Sequence, residues 1–184
     1  MPQYGRTTAG ASWLTIENRY SGRKIVLAST ETALKISAYL RSQGSATNGI
    51  KAALYNFADD TLAYQSAELA GFTDTSGGWK DFTFTDSVAA GSYWLVVRCD
   101  VIAGGGNTCE IAYDTVTSDT TLYQWWFSTA TWPTLDADLT GSEMPGGTHD
   151  NSIYLETSSG GGGGTINAAT IIPQLNRRKT GRFF

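Results

Sequence analysis

Apolar and polar residues alternate along most of this chain in short runs. Ala33–Arg41 is the clearest: Leu34, Ile36, Ala38 and Leu40 share one phase, and Lys35, Ser37, Tyr39 and Arg41 share the other. A period of two puts each set on its own face of a strand, so the apolar set is predicted to face a core. Similar runs cover Trp13–Glu17, Lys24–Ala28, Ile50–Phe57, Leu62–Leu69, Trp79–Thr85, Tyr93–Cys99, Cys109–Asp114, Leu122–Phe127 and Ser152–Glu156. Turn-forming residues separate them, at Gln43-Gly44-Ser45, Asn56–Asp60, Ser76-Gly77-Gly78 and Ala90-Gly91-Ser92. No window of a dozen residues carries a helical period. About ten short strands with one apolar face each predict two packed antiparallel sheets. The expected fold is therefore an all-β sandwich, a jelly roll.

The pattern breaks twice. Ser128–Asn151 reads as one long loop, holding Trp132-Pro133, Met144-Pro145-Gly146-Gly147 and the single histidine, His149. Loops of this length are usually functional or mobile. Then Ser158-Ser159 and five glycines, Gly160 to Gly164, form a flexible linker by composition. The predicted organisation is a sandwich over 1–157, a linker over 158–164 and an extended C-terminal arm over 165–184.

Composition sharpens that division. Only 16% of residues are charged, against ~25% in an average soluble protein. All 17 acidic residues and nine of the 13 basic ones precede the glycine run, which leaves the body at −8. The other four, Arg177, Arg178, Lys179 and Arg182, give the arm +4. An acidic body repels phosphates, so nucleic acid is a poor partner for it. The arm also holds Ile171, Ile172, Pro173, Leu175, Phe183 and Phe184. So many apolar residues among the charges point to an arm that docks into a protein neighbour. The competing reading is a solvated tail. No run approaches the ~20 apolar residues of a membrane span. The first residues, Met1-Pro2-Gln3-Tyr4-Gly5-Arg6, hold no apolar export segment. The expectation is a protein made in a cytoplasm.

Five segments resemble a family of jelly-roll, carbohydrate-binding-module-like β-sandwich repeats. They are Ser21–Leu27, Ala33–Leu40, Ile50–Tyr55, Gly78–Phe84 and Ala89–Val97. Members occur in phage virion proteins and in microbial extracellular proteins. The resemblance implies the sandwich and brings no catalytic motif with it. An extracellular style of sequence without an export signal fits a bacteriophage structural protein. The expectation is a non-enzymatic capsid decoration, cement or tail-surface subunit on the virion surface. Its partners would be other virion proteins or further copies of itself. The alternative is a carbohydrate-binding module that grips glycans with loop aromatics.

Trp125 and Trp126 are adjacent in a strand, so one indole should face the core and the other outward. Trp132, beside Pro133, is the best ligand-facing aromatic of the long loop, and an exposed indole suits a sugar ring or a protein partner. Trp13, Trp79 and Trp94 read as core or edge packing. Two acid pairs, Asp59/Asp60 and Asp136/Asp138, are available for glycoside chemistry, but Asp in turns is ordinary. His149 lies beside Asp150 without a nucleophile motif and reads as a surface-loop histidine. No cofactor is expected: two Cys and one His make no zinc site, and no spacing supports structural Ca²⁺. Cys99 and Cys109 flank the glycine-rich 100–108 stretch. Were it a hairpin turn, they would face each other on paired strands. A disulfide and two free thiols both remain open.

Overall fold

The computed structural model describes residues 1–16, 19–43, 48–100, 108–116, 123–127, 130–139, 143–144 and 149–158. These form fourteen strands. They are β1 Gln3–Gly5, β2 Ser12–Thr15, β3 Arg19–Leu27, β4 Glu31–Gln43, β5 Asn48–Asn56, β6 Leu62–Gln65 and β7 Leu69–Phe72. The series continues with β8 Gly78–Val88, β9 Gly91–Cys99, β10 Thr108–Thr115, β11 Tyr123–Phe127, β12 Glu143–Met144, β13 His149–Asn151 and β14 Ile153–Ser158. They pair antiparallel into two seven-stranded sheets. The first runs β1-β14-β4-β10-β13, with β8 also on β4 and β2 also on β10. The second runs β12-β11-β3-β9-β5-β6, with β7 also on β5. The chain is thus a β-sandwich, as the alternation predicts.

The core between the sheets is built from one phase of each long strand. Ile36, Ala38 and Leu40 of β4 meet Ile50, Ala52 and Leu54 of β5 and Leu95 and Val97 of β9 within one buried cluster. Leu34 departs from the simple alternation. Against β14 the register shifts between Glu156, opposite Lys35, and Thr157, opposite Ala33, so Leu34 is the extra residue of a bulge. It is only half-buried, while Ala33 and Ile36 on either side are fully enclosed. A bulge inserts one residue and so resets which phase faces inward.

Two further expectations change. Leu62–Leu69 is two strands, because Ser66 interrupts it. The Ser66 Oγ accepts from the Ala52 N–H at 3.0 Å, donates to the Ala67 carbonyl at 2.7 Å, and is buried in doing so. The stretch read as one loop from Ser128 to Asn151 also contains the short strands β12 and β13. His149 is therefore a strand residue and not a loop residue. It is half-buried, its ring edge-on to Tyr113 at 4.2 Å. Burial lowers its imidazole pKa below the ordinary value.

The strand β9 is buried almost throughout. Tyr93, Leu95, Val97 and Cys99 face the main core. Trp94 and Val96 face the other way, into a second cluster with Tyr20, Ala53, Tyr55, Leu135 and Leu139. The outer face of the second sheet is therefore covered by the 130–139 segment. A strand covered on both sides reads as a continuous apolar run, which is what Tyr93–Val97 is.

Candidate binding surface

The two outer faces differ. On the second sheet, the covering segment is held by polar bonds around Asp136. Its carboxylate accepts from the Tyr20 hydroxyl at 2.9 Å and from the Ala130 N–H at 2.8 Å. Its carbonyl accepts from the Tyr55 hydroxyl at 2.8 Å. Arg98, only 2% exposed, donates to the carbonyls of Ala130 and Thr134 at 2.7 and 2.6 Å. Its guanidinium also lies 5.5 Å from the Trp132 ring. The backbone at Gly49 comes so close to that indole that a Cβ there would lie 2.7 Å from it. Trp132 is thus half-buried, against Arg98 and Gly49. Trp125 and Trp126 pair by backbone with β3 and β12, and their side chains lie outside the described residues. So does the whole arm, from Ile171, Ile172, Pro173 and Leu175 through Arg177, Arg178, Lys179 and Arg182 to Phe183 and Phe184.

No segment among the described residues covers the outer face of the first sheet in this way. Here the polar phase of β4 meets β2, β8, β10 and β14. The register sets Tyr39 opposite Trp79, and Ser37 between Asp81 on one side and Tyr154 on the other. Trp13 arrives from β2, next to β10. The four rings form a chain. Centroids lie 5.8 Å apart from Trp13 to Tyr39, 5.4 Å from Tyr39 to Trp79 and 5.1 Å from Trp79 to Tyr154. The last two contacts are edge-to-face, the arrangement the ring quadrupole favours. All four rings are half-buried. Ser37, opposite Asp81 and Tyr154, is fully enclosed although it faces outward.

Charged groups bracket the rings. At one end the Arg41 guanidinium lies 4.2 Å from the Trp13 ring and donates through Nε to Glu110 at 2.5 Å, while Gln43 donates to the same carboxylate at 2.6 Å. At the other, Asp81 accepts from Lys35 at 2.8 Å and Ser37 at 2.6 Å. Burial alone would raise the Asp81 pKa, but the bonds from Lys35 and Ser37 outweigh it and hold it below the ordinary value. Gly77 sits beneath Trp13 at φ 86°, and a Cβ there would lie 2.7 Å from the indole. Half-exposed rings beside carboxylates, an amide and a guanidinium offer both stacking and hydrogen bonding to a polyhydroxylated or aromatic partner.

The remaining candidates fall elsewhere. Asp59 accepts from the Thr61 N–H and hydroxyl within a turn, at 3.2 and 2.7 Å. Asp60 accepts from the Trp94 indole N–H at 2.9 Å. Asp138 forms an isolated bridge with Thr61. Asp150, beside His149, pairs with Arg23 at 2.8 Å and Arg6 at 3.1 Å. Among the described residues, no three His, Cys, Asp or Glu side chains come together as a metal site.

Cys99 and Cys109 are both buried free thiols. They do not face each other across a hairpin. Cys99 ends β9 in the second sheet and Cys109 lies in β10 of the first, because the connection between them crosses from sheet to sheet.

The ring chain is not legible in the sequence as a unit. Alternation places Tyr39 and Arg41 in the outward phase of β4, and the available signal is an aromatic residue in the polar phase of a strand. Trp13 and Trp79 read locally as packing residues. Searches of family models, curated proteins and solved structures return no match to this chain.

Proposed function

We propose that this chain is a non-enzymatic structural subunit displayed on a virus particle. It would be a capsid decoration, cement or tail-surface protein, assembled in the host cytoplasm. The sandwich is the displayed body and residues 165–184 are its tether to neighbouring virion proteins. The observation that carries this reading is the placement of opposite charges. The last described strand, β14, is built into the first sheet and runs to Ser158. There the acidic body hands over to the Gly/Ser linker and the basic, apolar arm. The jelly-roll resemblance supports the same reading. Deleting 165–184 should abolish incorporation into particles while leaving the thermal unfolding of the body unchanged. Normal incorporation of the truncated chain would refute the tether.

A second reading, glycan binding, is favoured by the ring chain on the first sheet. We place the binding aromatics at Trp13, Tyr39, Trp79 and Tyr154 ahead of Trp132, which is packed against Arg98 and Gly49. Both readings hold together if the displayed body grips glycans. Glycan-array binding that survives Trp79→Ala and Tyr39→Ala, but is lost in Trp132→Ala, would return the site to the loop.

A further inference from the structure

The two cysteines lie in one buried cluster although they belong to opposite sheets. Both are fully enclosed, at 0% exposure. Cys99 is the last residue of β9, and Cys109 is the second of β10. Only residues 100–107 separate the two strands, so both thiols sit at the end of the sandwich where the chain crosses between sheets. The Cys99 thiol adjoins that of Cys109 and donates to the Asp100 carbonyl at 3.3 Å. Burial first, and then that neighbouring thiol, raise the Cys109 pKa well above the usual thiol value.

We propose that Cys99 and Cys109 are a latent inter-sheet lock: reduced when the chain folds, and closed to a disulfide when the folded protein meets a small peroxide. Each strand is pinned to its own sheet, Cys99 opposite Ile50 on β5 and Cys109 opposite Ser42 on β4. A bond between them joins the two sheets directly.

The chemistry balances with hydrogen peroxide as oxidant. The thiolate of one cysteine attacks a peroxide oxygen, giving a sulfenic acid as the O–O bond breaks and hydroxide leaves. The second sulfur then attacks the sulfenic sulfur and displaces its oxygen. With the two thiol protons, the oxygens leave as two waters, and the two sulfurs have lost two electrons. The raised pKa keeps thiolate scarce, so the pair closes slowly, and the reductants of a reducing compartment hold it as two thiols. A buried pair admits a small peroxide far more readily than a bulky disulfide such as oxidised glutathione. None of this depends on the chain being a particle subunit.

The test uses the full chain treated with hydrogen peroxide, followed by non-reducing peptide mapping and thermal unfolding. The expected product is an intramolecular Cys99–Cys109 peptide lacking two hydrogens. Its Tm should exceed that of the reduced protein by about 5–10 °C, the scale set by closing so short a loop in a chain of this size. Reductant should reverse the shift. Cys99→Ala and Cys109→Ala should each show no peroxide-dependent rise, whatever their starting Tm. Persisting thiols, a sulfinic acid, a cross-linked dimer, or an intramolecular bridge without a Tm rise would each overturn the proposal.

Discussion

The Tyr20 hydroxyl and Asp136 bond to each other twice. The hydroxyl donates to the Asp136 carboxylate at 2.9 Å and accepts from the Asp136 N–H at 2.7 Å. This reciprocal pair, 116 residues apart in sequence, fastens the 130–139 segment to β3. It is why one outer face of the sandwich is closed by the chain itself.

Removing the acidic half of that pair should loosen the cover. Asp136→Ala leaves the Tyr20 hydroxyl and the Ala130 N–H without their acceptor, which should cost about 2–3 kcal/mol. Tyr20→Phe should cost about 1 kcal/mol, since it removes the hydroxyl and keeps the ring. Urea midpoints give the magnitudes. Hydrogen exchange should speed up at 130–139 while β4 and β5 stay protected.

The same contacts predict alkaline sensitivity. Burial raises the Tyr20 pKa, and burial followed by the neighbouring Tyr20 raises that of Tyr55. A raised phenol keeps its full contribution below the unfolded value of about 10. It loses that contribution as pH rises toward the folded value. Tm should be flat between pH 7 and about 9, then fall, and Tyr20→Phe should make the fall shallower.

Acid should weaken the body through a different set. The Asp74 pKa is lowered by its bonds from Lys80 and then Ser76, and the Asp114 pKa by the Ala11 N–H and then Arg6. The Asp81 pKa is lowered because Lys35 and Ser37 outweigh its burial. Carboxylates depressed in the folded state stabilise it above the unfolded value of about 3.9. They lose that effect as pH falls through the folded values. A Tm profile from pH 6 to 2 should drop below about pH 4, and Asp81→Asn should flatten part of the drop.

Close backbone approach predicts a contrast between two glycines. A Cβ on Gly22 would lie 2.5 Å from the Val96 side chain and 2.6 Å from the Leu95 carbonyl. Gly22→Ala should therefore destabilise by about 1–3 kcal/mol through overpacking. A Cβ on Gly91 meets only the Tyr93 ring, at 3.5 Å, and Gly91→Ala should stay within about 0.5 kcal/mol. Denaturant unfolding of both variants checks the difference.

Trp79 touches both Tyr39 and Tyr154. Trp79→Ala should cost about 1–3 kcal/mol from two lost aromatic contacts, leave the β-sheet circular dichroism signal unchanged, and abolish glycan retention on an array. Binding unchanged in this variant would remove the ring chain from the glycan reading.

The amino-acid sequence by itself determined the class of fold. A period of two, repeated between turn residues, leaves each strand one apolar face, and burying those faces against each other makes a sandwich. The same period placed Tyr39, Arg41 and Lys35 outward. What it did not contain was which strands become neighbours. Trp13, Tyr39, Trp79 and Tyr154 lie far apart in the chain and meet only because β2, β8, β10 and β14 assemble around β4. Pairing likewise put Cys99 and Cys109 on opposite sheets where local spacing allowed a hairpin. It also turned part of an apparent loop into a cover, since Leu135 and Leu139 find their apolar partners on β9 and β5. Alternation is a local property that each strand carries alone. Adjacency is settled only by the free energy of the assembled sheets, and on this chain the candidate surface is made entirely of adjacency.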